Sequence, residues 1–205
     1  MGRSPTNAKT KLIQTAIDLI WKSSYGSVSV DDICKCANIN KGSFYYYFPS
    51  KASLAIAAME ESFKCYEPEI LAVFSANISP IERFEGLADY IYSSQKEVSE
   101  KYGHVCGCPF ASLGSEMAGS EEIIRSKVDE IFSRKNQLFI ETLQDMIDLQ
   151  LLAKDTDLTA KASEIHAFIL GQVMTARIQN DLSNLKNELR SGLFRIIDIA
   201  ESVIE

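Results

Sequence analysis

The sequence predicts an all-α protein with a small three-helix N-terminal segment, residues 1–51, and a larger helical body, residues 52–205. Apolar residues recur at the three- and four-residue spacing of helices along most of the chain, and no segment shows the alternation of a strand. Helix-capping residues, glycines and prolines separate these apolar stretches. Hydrophobic residues make up 46% of the chain, which is ordinary for a globular protein with an apolar core.

The first predicted helix begins at Asn7 or Ala8 and ends near Ser24, just before Gly26. Its apolar face is wide and comprises Leu12, Ile13, Ala16, Ile17, Leu19, Ile20 and Trp21. The segment is therefore predicted to be an amphipathic helix.

The second predicted helix begins after Ser29, which can act as its N-cap. Asp32 follows three residues later, so the two side chains can form an arrangement like a capping box. Its apolar face comprises Val30, Ile33, Cys34 and Ala37. Asn38 stands where the end of a helix needs a residue that tolerates positive φ.

The third predicted helix runs from Lys41 to about Tyr47, with Asn40 as its N-cap. Pro49 stops it, and Ser50 caps the next helix. Two short helices joined by such a brief turn form a helix-turn-helix.

The third helix is predicted to have an inward and an outward face. Phe44 and Phe48 are four residues apart and would pack inward with Ile39. The outward residues would be Lys41, Gly42, Ser43, Tyr45 and Tyr46. Exposed aromatics beside lysines suit a nucleic-acid groove, because lysines meet phosphates and tyrosine hydroxyls reach phosphates or base edges. The predicted DNA-binding residues are Ser29, Asn40, Lys41, Gly42, Ser43, Tyr45, Tyr46, Tyr47 and Lys51.

The segment NINKGSFYYYFPSKASL resembles the helix-turn-helix signature of TetR/AcrR-type transcriptional repressors. The resemblance is strong over residues 8–55 and only architectural beyond them. ICKCAN departs from the family pattern, which has small residues and a glycine before the turn; Cys34 and Cys36 keep the small volume and Asn38 keeps the turn. The resemblance implies a repressor that binds double-stranded operator DNA as a homodimer and responds to a small-molecule inducer. Arg3, Lys9 and Lys11 would then form either a DNA-touching arm or a solvated tail.

The charge distribution agrees with DNA binding at one end only. Residues 1–52 contain seven basic and three acidic residues, a net charge of +4, whereas the remaining 14 basic and 25 acidic residues give −11. A basic head on an acidic body is expected when only the head meets phosphate.

Six further helices are predicted in the body. They span Ser50 to about Ala76 with a kink or break at Pro68, Pro80 to about Lys101 capped by Ser79, Phe110–Met117, Ser120 to about Leu152, Asp157 to about Gln179, and Leu182 or Ser183 to Val203.

The last two helices carry more apolar surface than a lone surface helix needs, and Ala167 and Gly171 would permit close helix approach. The resemblance implies that this pair forms an intermolecular four-helix bundle. The alternative is that both helices only complete the core of one protomer. Dimerisation is favoured, because two helix-turn-helix copies are needed to bind a pseudo-palindrome.

We also expect a ligand cavity lined by the fourth to eighth helices. The predicted ligand-binding residues are Phe63, Tyr66, Tyr90, Phe110, Met117, Phe132, His166 and Met174. They combine large apolar bodies with a few polar tips that could orient a ligand. The same residues could instead fill a solid core. Arg177 could anchor an acidic ligand or form a salt bridge at the dimer rim.

His104, Cys106 and Cys108 form the most reactive-looking cluster of the sequence. A zinc site is disfavoured, because the cluster lacks a fourth ligand and C-x-C spacing fits poorly. Two interpretations remain: an accessible, oxidisable thiol, and a loop of small residues that packs on the core. The five cysteines do not suggest a disulfide framework.

Other classes of protein receive little support from the sequence. No run of 18 apolar residues and no hydrophobic signal core occurs, so we expect a cytoplasmic protein that does not enter the membrane. The motifs of hydrolases, P-loop proteins and zinc proteases are absent, which predicts a non-enzyme without a cofactor. The remaining alternatives are a helical interaction module without ligand-regulated DNA binding and a thiol-based redox regulator.

Overall fold

The computed structural model describes residues 5–198, and within that range the regular secondary structure is helical with no strand. The helices are α1 Pro5–Lys22, α2 Val30–Ala37, α3 Lys41–Tyr47, α4 Lys51–Val73, α5 Pro80–Tyr102, α6 Pro109–Met117, α7 Glu122–Asp148, α8 Leu158–Gln179 and α9 Ser183–Ile197. The predicted all-α fold, with an N-terminal helix-turn-helix before a helical body, is confirmed.

Local capping explains where several helices begin. Ser79 and Glu82 form a capping box at the start of α5, whose first residue is Pro80. Proline suits this position because its missing N–H would have no partner inside the helix. The side chain of Asp157 accepts a hydrogen bond from the Ala160 N–H and begins α8. These predicted caps are confirmed.

Some predicted helix ends were wrong. α4 continues through Pro68 without a break and ends at Val73 rather than near Ala76. Proline removes only one backbone hydrogen bond, and the rest of the helix retains its own. α7 ends at Asp148, four residues before the predicted Leu152. α9 ends at Ile197 with Asp198 in the left-handed conformation. The predicted extension to Val203 and the predicted role of Arg3 lie outside the described residues.

The helices form two compact units, each with its own core. The first unit extends to Glu67 and includes Pro109–Glu130; the second comprises Pro68–Cys108 and the chain from Ile131 onward. In the first unit α1, α2 and α3 pack on one another. Its largest fully buried side chains are Leu12, Ile33, Phe44, Leu54, Met59, Phe110, Leu113 and Ile124.

The second unit is built around the packing of α9 against α8 and α5. Its core includes Phe84, Leu143, Met146, Ile165, Leu189, Leu193 and Phe194. Arg83, which is 5% exposed, donates to Asp145 across 2.5 Å and to the Ile78 carbonyl across 2.9 Å. Both bonds compensate the burial of its charge.

Close packing of α9 on α8 depends on Gly192. A Cβ at that position would lie 2.0 Å from Cζ of Phe168, a distance that a real Cβ cannot occupy. Gly171, which the sequence suggested as a point of close helix approach, instead faces open space within the protomer.

Candidate nucleic-acid interface

Both ends of α2 are fixed by polar contacts close in sequence. Ser29 Oγ accepts from the Asp32 N–H at 3.1 Å, and the Asp32 carboxylate accepts from the Ser29 N–H at 2.9 Å. The Ser29 hydroxyl, which donates to the same carboxylate at 2.6 Å, and then the Ser29 N–H lower the pKa of Asp32. Asn38 has φ 53°, and its N–H reaches the carbonyls of Cys34 and Lys35. The predicted capping box and left-handed turn are confirmed, and together they direct the chain from α2 into α3.

A side-chain cap also fixes the first turn of α3. The Asn40 Oδ1 accepts a hydrogen bond from the Ser43 N–H at 2.8 Å. A Cβ at Gly42 would lie 3.3 Å from that same oxygen. Glycine at this position therefore keeps the cap uncrowded and leaves the backbone open to close approach by a partner.

The two faces of α3 differ sharply in exposure. Phe44 is fully buried and Phe48 is 4% exposed, as predicted. On the opposite side Tyr45 is 55% and Tyr46 is 80% exposed. The Tyr46 ring meets the half-buried Tyr47 ring edge-on, with centroids 4.9 Å apart. α3 thus presents an aromatic surface that the rest of its unit does not cover.

Lys41 lies at the start of this surface. Its ammonium pairs with the carboxylate of Asp31 at 2.6 Å, and both side chains are largely exposed. The contact raises the pKa of Lys41, which keeps the lysine charged. A phosphate would compete with Asp31 for this ammonium.

The structure shows an intramolecular role for Lys51. Its Nζ donates to the carbonyls of Tyr25 at 2.9 Å and Val28 at 3.0 Å, and lies 3.9 Å from the centroid of the Tyr25 ring. Burial lowers the pKa of Lys51. Of the predicted DNA-binding residues, Ser29, Asn40 and Lys51 therefore have partners within the protomer that hold the helix-turn-helix. Contact between Lys51 and a phosphate remains a prediction.

Four predicted ligand-binding residues belong to the first unit. Phe63 contacts Tyr66 with ring centroids 5.2 Å apart, and Tyr66 contacts Phe110 at 6.0 Å. Trp21 of α1 also meets Phe110, at 6.1 Å. Met117 is half-buried at the end of α6. The three aromatic candidates are thus joined in one cluster that reaches α1.

The other four candidates, Tyr90, Phe132, His166 and Met174, belong to the second unit. The ring centroids of Phe132 and His166 are 4.6 Å apart, in an edge-on arrangement. Burial, and then the charge of Lys135, lower the pKa of His166 to about 4. Burial raises the pKa of Tyr90 to about 12. Both side chains are therefore neutral at pH 7.

The sequence interpretation did not include two residues beside His166. Asn136 Oδ1 lies 2.7 Å from His166 Nδ1. Neutral His166 accordingly donates from Nδ1–H and keeps Nε2 as an acceptor. Burial lowers the pKa of the nearby Lys135. Lys135 and Asn136 follow Phe132 by three and four positions, so they lie on the same face of α7 as Phe132.

The loop with His104, Cys106 and Cys108 is packed against neighbouring elements of its unit. The Val105 N–H donates to Asn180 Oδ1 at 2.9 Å, and Gln95 donates to the Gly107 carbonyl at 3.2 Å. A Cβ at Gly107 would lie 2.9 Å from Cδ of Arg177. The Cys106 thiol is buried, and burial raises its pKa. This environment favours the packing interpretation over a reactive Cys106.

Residues 5–198 contain no group of three or more His, Cys, Asp or Glu side chains that could hold a metal ion. None of the helices in that range combines the length and apolarity needed to cross a membrane.

Comparison with known proteins agrees with this architecture. The family model for bacterial regulatory proteins of the tetR family matches residues 12–58, and that for the tetracyclin repressor-like C-terminal domain matches residues 80–191. An uncharacterised HTH-type transcriptional regulator in the lacX 3' region of Lactococcus lactis is 29% identical over 88% of this chain and 89% of its own. The HTH-type transcriptional repressor NemR of Escherichia coli is 21% identical, with 89% and 90% coverage.

A solved structure extends the likeness to the whole fold. A TetR-family transcriptional regulator from Agrobacterium tumefaciens superposes with a TM-score of 0.80 at 23% identity, covering 96% of this chain and all of that one. The two family matches together include the helix-turn-helix and most of the helical body. The chain therefore belongs to the TetR family of bacterial regulatory proteins and is a DNA-binding transcriptional regulator.

Proposed function

We propose that this chain is a repressor that occupies operator DNA as a homodimer and leaves it when a small-molecule inducer binds. The observation that carries the proposal is the uncovered face of α3, where Tyr45, Tyr46 and Lys41 stand exposed on a helix with a fixed start. This is the form of a recognition helix that enters the major groove. An operator-binding protein would act in the cytoplasm.

The exposed face of α3 supports separate roles for its residues. Lys41 would hold a phosphate, assisted by Tyr46 and Tyr47. Ser43 and Tyr45 would meet base edges in the major groove. Gly42 would let the α3 backbone approach a DNA strand. Ser29, Asn40 and Lys51 would support this surface through their caps and carbonyl contacts, and Lys51 would also hold a phosphate.

Homodimerisation would use α8 and α9. On α8, Gly171 has no heavy atom within 4 Å of an added Cβ, and Ile178 is 83% exposed. These residues support a face that a second copy could cover. Phe194 of α9, by contrast, is 4% exposed in the protomer core. A charged residue at Phe194 would disturb the protomer fold, whereas a charged residue at Gly171 tests dimerisation alone.

We propose a DNA-binding domain of residues 1–51 and a ligand-binding and dimerisation domain of residues 52–205. The neutral His166, with an acceptor nitrogen beside the Phe132 ring, would suit an aromatic or apolar inducer that donates a hydrogen bond. The inducer would favour a spacing of the two α3 helices that does not fit two successive major grooves. It can do so only by binding that state more tightly than the DNA-bound state.

A mobility-shift assay on the DNA upstream of the gene tests this proposal. The protein should retard this fragment at concentrations that leave an unrelated fragment of equal length free. Equal affinity for both fragments would contradict operator binding and favour the interaction-module hypothesis. Repeating the assay with an added thiol reductant and with peroxide tests the redox alternative, which requires the two conditions to differ.

A further inference from the structure

The turn between α1 and α2, residues 23–29, is held by side chains from two distant helices of the same unit. On one side the Lys51 ammonium of α4 binds the carbonyls of Tyr25 and Val28. On the other, the Glu116 carboxylate of α6 accepts from the Tyr25 N–H at 3.0 Å and from the Gly26 N–H at 2.6 Å. The positive Lys51 and the negative Glu116 thus pair carbonyls and N–H groups of the turn, which lie outside both α1 and α2.

A side chain at position 26 would displace the Glu116 carboxylate. A Cβ there would lie 2.6 Å from Glu116 Oε1, so the end of the Glu116 side chain would have to move away from the turn. Glycine at this position therefore permits the close approach of the carboxylate. Each of the two carboxylate oxygens accepts from one of two consecutive amides, so the carboxylate fixes both the position and the direction of the turn.

The helix that carries Glu116 is itself firmly packed. Phe110 is 2% exposed and lies against Trp21 of α1, and Leu113 is likewise 2% exposed. A Cβ at Gly114 would lie 3.1 Å from Val128 of α7. α6 is therefore held in place within its unit, and its Glu116 side chain reaches the turn that leads into α2 from a packed helix.

The turn sits directly before the capped start of the helix-turn-helix. Three residues separate Gly26 from Val30, the first residue of α2. The position of the Tyr25 and Gly26 amides therefore sets where Ser29 begins α2, and α2 in turn packs on α3. A shift of the turn would move α2 and α3 relative to the helix that bears Glu116.

We propose that Glu116 is a positioning residue for operator binding, which holds the helix-turn-helix to α6 through the amides of Tyr25 and Gly26. This inference rests on the proposed operator binding and adds to it a residue outside the helix-turn-helix. α6 would thereby be coupled directly to the turn before the helix-turn-helix. This coupling would add to the covalent connection through which α3 leads into α4.

The test compares full-length Glu116→Ala, Glu116→Gln and Gly26→Ala with the unaltered protein. Operator affinity should fall about tenfold or more in Glu116→Ala and in Gly26→Ala, since each removes charged hydrogen bonds to the turn. Glu116→Gln retains one acceptor oxygen and should lose less. The double variant Glu116→Ala with Gly26→Ala should bind no more weakly than the weaker single variant, because both remove the same contact.

Glu121→Gln is the matched control for charge. Burial, then the charges of Glu121 and Glu116, raise the pKa of Tyr25 to about 12. The Glu121 carboxylate thus acts on the same residue, but within residues 5–198 no hydrogen bond joins its side chain to the turn. Removing a negative charge should by itself slightly strengthen DNA binding. The expected loss in the Glu116 variants therefore has the opposite sign to a pure charge effect.

Hydrogen exchange supplies a readout independent of DNA. The Tyr25 and Gly26 amides should exchange faster in Glu116→Ala, while the amides of α2 and α3 keep their protection. Unaltered operator affinity in Glu116→Ala, or additive losses in the double variant, would overturn the positioning role. Failure of the unaltered protein to prefer operator DNA would instead overturn the proposed function, so the two results are distinct.

Discussion

Replacing Lys41 by Ala should reduce the salt dependence of operator binding. Lys41 lies on the first turn of α3, its side chain is 60% exposed, and its partner is an exposed carboxylate of Asp31. An exposed ion pair is held weakly, so the ammonium is free to exchange Asp31 for a phosphate. Each phosphate contact contributes about 0.9 to the slope of log affinity against log salt concentration. A dimer carries two copies of Lys41, so the slope should fall by about 1.8.

Lys51→Ala provides the comparison. The Lys51 ammonium holds the carbonyls of Tyr25 and Val28, and losing these bonds should cost about 2 kcal/mol of unfolding free energy. For a chain of this length, that loss lowers the melting temperature by roughly 4–8 °C. Lys41→Ala should leave the melting temperature nearly unchanged. If Lys51 also binds a phosphate, its replacement should flatten the slope by about one unit for each lysine engaged.

Fluorescence anisotropy with labelled operator over a range of potassium chloride concentrations measures these slopes. Asp31→Asn is the matched control, since it releases Lys41 without removing the ammonium and should keep the slope or increase it. An unchanged slope in Lys41→Ala, with the variant folded by circular dichroism, would refute the phosphate role of Lys41.

Three further predictions concern assembly and the proposed ligand site. Gly171→Glu should give a folded monomer with weak operator binding, because its side chain would charge the exposed α8 face; light scattering that still finds a dimer would contradict this interface. Phe132→Ala should lose less than the roughly 3–5 kcal/mol typical of a fully buried phenylalanine, because Phe132 is only half-buried. It should also abolish inducer release, and a large melting loss with an intact inducer response would refute its place in the pocket. Burial and then the charge of Lys135 lower the pKa of His166 to about 4, so as pH falls the unfolded chain takes up the histidine proton before the folded chain does. The contribution of neutral His166 to stability is therefore complete above pH ~6.5 and decreases by up to about 3 kcal/mol as pH falls towards ~4. Melts of His166→Gln should lack this part of the pH dependence while those of His104→Gln keep it; equal pH dependence in all three proteins would exclude a buried neutral His166.

The fold class and most helix starts were predictable because capping is local. Ser29 with Asp32, Asn40 with the Ser43 amide, and Asp157 with the Ala160 amide each act over three residues. A side chain that caps at this range is visible in sequence order alone. The buried face of α3 was predictable for a similar reason, since Phe44 and Phe48 differ by one helical turn.

Helix ends and long-range contacts were less predictable. α7 ends at Asp148 in a left-handed turn, where Gln150 has φ 60° and the Leu151 N–H donates to the Met146 carbonyl at 2.8 Å. Such a turn is usually marked in a sequence by glycine or asparagine, and glutamine does not signal it. Glu116 reaches amides 90 and 91 positions earlier in the chain, and Lys51 reaches carbonyls 23 and 26 positions earlier. A lysine at the start of a helix and a glutamate at the end of one are normally solvated charges. The local sequence marks Lys51 only as a candidate phosphate contact, and nothing in it distinguishes Glu116 from the other charged side chains of the body.

The free-energy change that an inducer must produce in operator binding is similar to the free energy of the hydrogen bonds at Glu116. A 100-fold loss of operator affinity corresponds to about 2.7 kcal/mol, or about 1.4 kcal/mol for each protomer of a dimer. A hydrogen bond to a charged group contributes about 1.5–3 kcal/mol, and Glu116 makes two of them to the turn before α2. Loss of a single such contact in each protomer is therefore large enough to account for induction. No broad rearrangement of the helical body is required, provided that the inducer binds more tightly when α6 has released the turn.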